Sequence, residues 1–254
     1  MTESPGITKT VLPKKKSWKV YLFEFTLVLL AVFMGFLADN IREQYSDRRQ
    51  GLEYLKSFYE DLLTDTSRIS AIIRHEEEKI GILDATLPCY DSVTANPPNT
   101  QCLATLVRNS IVSSPFIISE RTIQQLMAGG FRLIEKQDTD SITRYMSLYH
   151  YLLDHQNTVY HESQLEVRDS QNDLIHFRAF SRIASIDVTR NDGTFRLPSG
   201  VNLLLRRDEV AINRIFNQLH KYKLVTLGHV NQLRIMRENQ MRLINYFREK
   251  YGFE

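Results

Sequence analysis

Only two cysteines occur among the 254 residues, together with one tryptophan, seven prolines and ten glycines. Two thiols cannot build a cysteine-rich metal centre. Glycine is equally sparing: no GxGxxG fingerprint and no Walker loop occurs, and Gly129-Gly130 reads as a lone helix stop, not a phosphate cradle. GxSxG and HExxH are missing as well. An excess of either charge is also lacking, with 32 basic against 30 acidic residues. Residues 1–40 hold five lysines against Glu3, Glu24 and Asp39, which leaves 41–254 with 27 charges of each sign. A neutral domain has no general electrostatic reason to bind nucleic acid. Arg206, Arg207, Arg214, Arg234, Arg237 and Arg242 near the C-terminus alternate with Glu209 and Glu238, as on an ordinary helix surface. No repeat or low-complexity block appears. These absences leave no reaction, cofactor or nucleic-acid partner to expect, and the chain does not read as an enzyme.

What is present is one long apolar run. From Val20 to Leu37 every residue is apolar except Glu24, Thr26 and Gly35, with Trp18 and Tyr21 at one end and Asp39-Asn40 at the other. Eighteen such residues reach the length of a spanning helix. A buried soluble helix would show a polar face at 3.6-residue spacing, and Leu27 to Phe33 cover every direction. A cleaved signal would have a shorter apolar core and a small-x-small exit, whereas this exit reads Gly35-Phe36-Leu37-Ala38-Asp39. The segment 18–40 is therefore read as an uncleaved signal anchor in the lipid bilayer, with residues 1–17 a disordered cytoplasmic tail.

Orientation follows from basic residues. Lys9, Lys14, Lys15, Lys16 and Lys19 precede the run, against Arg42, Arg48 and Arg49 after it, so the bias places the N-terminus inside. Cys89 and Cys102 bracket the polar stretch "YDSVTANPPNTQ", expected as a surface loop closed by one disulfide. Such a bond persists only in an oxidising compartment; the alternative is two free thiols in a cytosolic domain. The charge bias and the cysteine pair together assign 41–254 to the periplasm, on a bacterial inner-membrane anchor.

Beyond the anchor the pattern is helical. Leu52, Leu55, Tyr59, Leu62, Thr66, Ile69, Ile73, Ile80 and Leu83 alternate three and four apart, with Glu76 interrupting, which is a heptad-like coiled-coil seam. One helix from the membrane to Leu83, ended by Leu87-Pro88, would be about 95 Å long. Residues 88–101 are expected as the cysteine loop, and 102–110 as a short helix. Ser119 is read as an N-cap and Asp138 or Asp140 as another, opening a helix that runs toward Phe180. "IDVTRNDGTFRLPSG" carries a hairpin signal at Asn191-Asp192-Gly193, so a small β-hairpin or ordered loop is expected near 183–200. Arg206 to Tyr251 forms a second long helical pattern, with polar Thr226, His229 and Gln240 at seam positions. The fold class is mostly α: a transmembrane helix leading into a long-helix bundle whose first and last helices pack antiparallel, the last returning toward the membrane.

Three polar groups invite functional readings. Glu24 is either a titratable intramembrane carboxylate, as in ion-driven stator subunits of similar layout, or a residue meeting head groups or a partner. Its place five residues after Lys19 favours the second. His150 and Asp154 share a helix face, with His155, His161 and Glu162 beyond, but a solvated face explains them more simply than a metal. His75-Glu76-Glu77-Glu78 reads as a solvated charge run pairing with Arg74 and Lys79.

The segments "LFEFTLVLLAVFMGFLADNIREQ", "EYLKSFYEDLLTDTSRI", "ISERTIQQLMAGGFRLIEKQDTDSITRYMSLYH" and "LINYFREKYGF", in that order, resemble a family of uncharacterised single-pass membrane proteins common in Bacteroidetes. Leu126, Gly130, Leu133, Ile134, Ile142 and Tyr145 occupy its central pattern, while Ser147-Leu148 and Asp39-Asn40 depart from it. The resemblance implies fold and location and carries no activity. The expected function is a membrane-anchored interaction or assembly module, working with protein partners or as a homo-oligomer through the heptad seam. A periplasmic ligand-sensing bundle and a stator-like ion-conducting subunit using Glu24 are the alternatives.

Overall fold

A computed structural model of the chain describes residues 17–184 and 203–254. Among these the protein is built of helices: α1 Trp18–Leu83, α2 Thr86–Thr94, α3 Gln101–Ile111, α4 Glu120–Met127, α5 Lys136–His155, α6 His161–Leu174, α7 Phe177–Ala184 and α8 Glu209–Tyr251. A 3₁₀ turn, Gly130–Leu133, leads into α5, and a π-helical turn, Gln156–Tyr160, joins α5 to α6. No β-strand forms among the described residues, although Ile175 and Leu204 make one antiparallel bridge. The hairpin or loop expected near 183–200 falls outside them, except that Ile183 and Ala184 close α7.

The chain divides into two compact units at Gly51–Leu52. In the first, α1 includes an 18-residue stretch long and apolar enough to cross a membrane, and none of that stretch is buried by the protein. Phe23, Phe25, Leu27, Val28, Phe33 and Phe36 all stand exposed. A soluble core helix of this composition would have its apolar surface covered, because every buried leucine or phenylalanine contributes roughly 1.5–3 kcal/mol.

In the second unit α1, α5–α6 and α8 supply the long framework. α8 runs antiparallel to α1, as its contacts show in order: Arg248 with Tyr59, Gln240 with Thr66, Arg234 with Glu77 and Lys223 with Asp84. It is likewise antiparallel to α5–α6, through Lys250 with Asp138, Gln240 with Tyr145, Lys221 with Glu166 and Arg214 with Asp173. Asp208 starts α8 by accepting from the backbone N–H groups of Val210 and Ala211, at 2.9 and 3.3 Å. Gly252, at φ 69°, ends it in the left-handed conformation that favours glycine.

Two apolar clusters fill this unit. One joins Leu55, Phe58, Tyr59, Leu62, Ile69 and Ile73 of α1 to α4, α5 and the Val230–Phe247 half of α8. The other joins Leu83 to α2, α3, α6 and the Ala211–Tyr222 half of α8. Gly130 belongs to the edge of the first: a Cβ there would lie 3.1 Å from the Tyr54 ring and from the Gln125 carbonyl.

Three local expectations are corrected. Residues 88–94 are helical, not loop, because Pro88 sits in the first turn of α2, where its missing N–H has no intrahelical partner to lose. Ser119 precedes α4 without capping it; its N–H and hydroxyl both donate to the Asp65 carboxylate at 2.9 Å. Asp138 lies inside the first turn of α5 and is fully buried, with Lys250, Tyr246 and Tyr251 donating to it at 2.8, 2.7 and 2.6 Å. At both expected caps a long-range partner has taken the side chain, Asp65 for Ser119 and Lys250 with two tyrosines for Asp138.

Candidate functional site

Where the two apolar clusters meet, the same level of each long helix carries polar side chains. α1 contributes Glu76 and Lys79, the α5–π junction His155, Gln156 and Tyr160, and α8 Tyr222, Thr226 and His229. The three-and-four spacing puts these residues on the inward faces, so helix packing carries polar groups into the interior. A buried polar group costs free energy unless it is hydrogen-bonded.

Lys79 solves this by making the centre of a network. Its Nζ donates to Glu76 Oε1 and Oε2, both at 2.9 Å, to the Val112 carbonyl at 2.8 Å and to the Tyr160 hydroxyl at 3.0 Å. The Tyr160 hydroxyl stands 2.9 Å from Glu76 Oε2 and 3.1 Å from the Tyr222 hydroxyl. The Lys79 and Glu76 side chains are 2% and 0% exposed, so the pair is sealed from water. Burial lowers the Lys79 pKa, and the Glu76 carboxylate opposes that shift. Burial also raises both tyrosines, for Tyr160 reinforced by the neighbouring Tyr222 and Glu76. Gln156 closes the belt on its other side, accepting from the Phe116 N–H at 2.9 Å. Both hydroxyls are neutral donors, and the ammonium and carboxylate cancel one another. Such an arrangement pins the register of three helices, because sliding any one of them leaves a charge alone in the interior.

Two imidazoles sit beside the network. His229 is 1% exposed, and neither ring nitrogen has a hydrogen-bond partner among the described residues. Its ring leans on Tyr160 at 4.6 Å and stacks parallel to His155 at 6.0 Å.

The residues expected from the sequence fall at separate places. Cys89 and Cys102 are bonded, with Cα atoms 5.6 Å apart, tying α2 to α3. Glu24 and Lys19 lie on the exposed stretch of α1 in the first unit, while Lys14, Lys15 and Lys16 lie outside the described residues. Of the seam, Leu55, Tyr59, Leu62, Ile69 and Ile73 are buried, but Leu52 is 45% exposed. The seam is therefore occupied by the chain's own α5 and α8, and is not available as a self-association stripe. The supposed solvated run is corrected too: Glu77 and Glu78 face water, Glu77 meeting Arg234 at 2.6 Å, whereas Glu76 is fully buried. His150, Asp154, His161 and Glu162 are exposed, and His155 turns toward His229. Among the described residues no group of three or more His, Cys, Asp or Glu is placed to hold a metal. Arg214, Arg234 and Arg242 are each engaged by an acid.

The polar belt was missed because it looks like noise in a stripe. Yet Leu62, Ile69, Glu76 and Leu83 are spaced by seven, as are Ile215, Tyr222, His229 and Met236. A polar residue holding strict heptad register between apolar ones is the signal.

Comparison with protein-family models, curated proteins and solved structures returns no match. The functional reading accordingly rests on the residues themselves.

Proposed function

We propose that the protein is a membrane-anchored interaction or assembly module, its helical domain displayed in the periplasm and its N-terminus in the cytoplasm. The observation that carries this reading is the uncovered apolar stretch of α1, for which a bilayer is the fitting solvent. The five-to-three excess of basic residues before the anchor supports the orientation. The Cys89–Cys102 bond supports an oxidising compartment. Resemblance to the single-pass family of Bacteroidetes points the same way.

An interaction role is favoured over chemistry by where the polar groups are used. Lys79, Glu76, Tyr160 and Tyr222 satisfy one another out of reach of solvent, and Asp138 is spent on Lys250, Tyr246 and Tyr251. On the second unit, by contrast, large apolar side chains face water. The Ile175–Leu204 bridge brings Phe177 and Leu205 to the end where α8 begins with Val210; these are 79%, 58% and 70% exposed. Apolar groups gathered on a surface mark contact sites more often than catalytic ones.

Gentle-detergent extraction from native membranes, followed by native mass spectrometry, tests the reading. The expected result is a defined complex, homo- or hetero-oligomeric, of fixed stoichiometry. A monomer that turns over a substrate when reconstituted alone in proteoliposomes would overturn it. Glu24→Gln is expected to leave that complex intact, since near the membrane surface the carboxylate reaches head groups or water.

A further inference from the structure

His229 is built into a place that suits a neutral imidazole and rejects a charged one. The groups around it come from every packed element: Glu76 and Lys79 from α1, His155 from the end of α5, Tyr160 from the π turn, and Tyr222 from α8 itself. Glu76 is the only carboxylate among these, and its two oxygens already accept from Lys79 and Tyr160. Neither ring nitrogen of His229 reaches an acceptor among the described residues. The neighbouring His155 ring is parallel within 4°, and its Nδ1 is also without a partner. A charge arriving on His229 therefore meets the Lys79 ammonium and the stacked His155 ring, both of which oppose it.

The backbone at this point departs from the α-helix that α5 and α6 otherwise continue. His155 is the last residue of α5, and the π turn Gln156–Tyr160 follows at once. π turns are rare inside α-helices and gather at functional positions. On either side lie the two apolar clusters, whose packing does not depend on protonation.

We propose that the His155–His229 stack is an acid-sensitive latch, in which protonation of His229 separates the α5–π junction from α8 while the flanking apolar clusters stay packed. This goes beyond the assembly role and does not require it. The direction of the response is fixed by linkage. Burial, followed by His155 and Lys79, holds the His229 pKa at about 4, below the ordinary 6.5. Between those values the opened form takes up a proton that the closed form refuses, so closure is intact above pH 6.5 and weakens as pH falls toward 4.

Hydrogen exchange read by mass spectrometry on the full chain in detergent micelles, corrected for the intrinsic pH dependence of exchange, tests this. Between pH 7.5 and 5, opening of peptides covering residues 150–162 and 224–234 is expected to rise about tenfold or more. Peptides covering Leu55–Ile69 are expected to stay unchanged. His229→Leu, which fills the site without titrating, is expected to abolish the acid response and keep protection at pH 7.5. His155→Gln is a milder second variant, expected to reduce the response. Equal acid opening in both variants, or no opening in the parent chain, would overturn the proposal. So would a histidine NMR titration in which every imidazole protonates near 6.5.

Discussion

Lys79→Met is expected to destabilise the helical domain by about 3–5 kcal/mol, because it leaves the Glu76 carboxylate buried without its cation. The ammonium it removes lies within hydrogen-bond reach of both Glu76 oxygens, the Val112 carbonyl and the Tyr160 hydroxyl. Methionine restores much of the volume but none of the charge, so the loss is electrostatic and not a cavity effect. Urea unfolding of the full chain in detergent, followed by far-UV circular dichroism, measures it as a fall in the midpoint with unchanged slope. The double substitution Lys79→Met with Glu76→Leu is expected to recover most of the loss, since replacing both partners removes the stranded charge. If Lys79→Met left the midpoint where it was, the ammonium would not be where the structure has it.

Phe58→Ala is the second large effect, about 3–5 kcal/mol from lost burial and the cavity left behind. Its ring is 1% exposed and meets Tyr145 of α5 and Phe247 of α8 edge to face, at 5.8 and 6.0 Å. One side chain of α1 thus touches both other long helices. Leu52→Ala, at a position 45% exposed, is expected to change stability by no more than about 0.5 kcal/mol. The contrast separates an internal seam from an intermolecular one. A helix that used this stripe to dimerise would need Leu52, and its loss would shift the oligomeric state.

The long helices were legible because period is a local property. Leu55, Tyr59, Leu62, Ile69 and Ile73 recur at three and four, and all are buried. The Gly129 stop follows from the same kind of local chemistry, whereas Leu87-Pro88, expected to end α1, lies inside α2 and α1 already ends at Leu83. What a period leaves open is the partner. It marks Leu52 and Leu55 alike, yet α5 and α8 cover only the second. Phe58 was passed over because Tyr59 already filled the stripe, although a helix enclosed from two sides buries adjacent positions. Glu76 was grouped with Glu77 and Glu78 because the three are chemically identical in sequence. Its heptad register with Ile69 and Leu83 distinguishes it, and the long-range arrival of Tyr160 and Tyr222 beside the Glu76–Lys79 pair is what completes the buried network.

The same limit explains the acids that were read as caps or solvent-facing groups. Asp138 near a helix start has the local signature of an N-cap, but Lys250, 112 residues away, offers a charge-assisted bond in a buried setting. Local hydrogen bonds to backbone N–H groups are weaker competitors there. The cysteine pair was legible through its short separation, and the helix within its bracket was not, since a polar segment with two prolines carries turn chemistry on its face.

The central claim is that the domain from Leu52 onward stands outside the cytoplasm on a single anchor. It is tested most directly by trapping the thiol state in intact cells: rapid acid precipitation, then alkylation with a mass-shifting maleimide before and after reduction. The account predicts that Cys89 and Cys102 resist alkylation until reduced, after which both react. Full alkylation of both without reduction would place the domain in a reducing compartment and contradict the account.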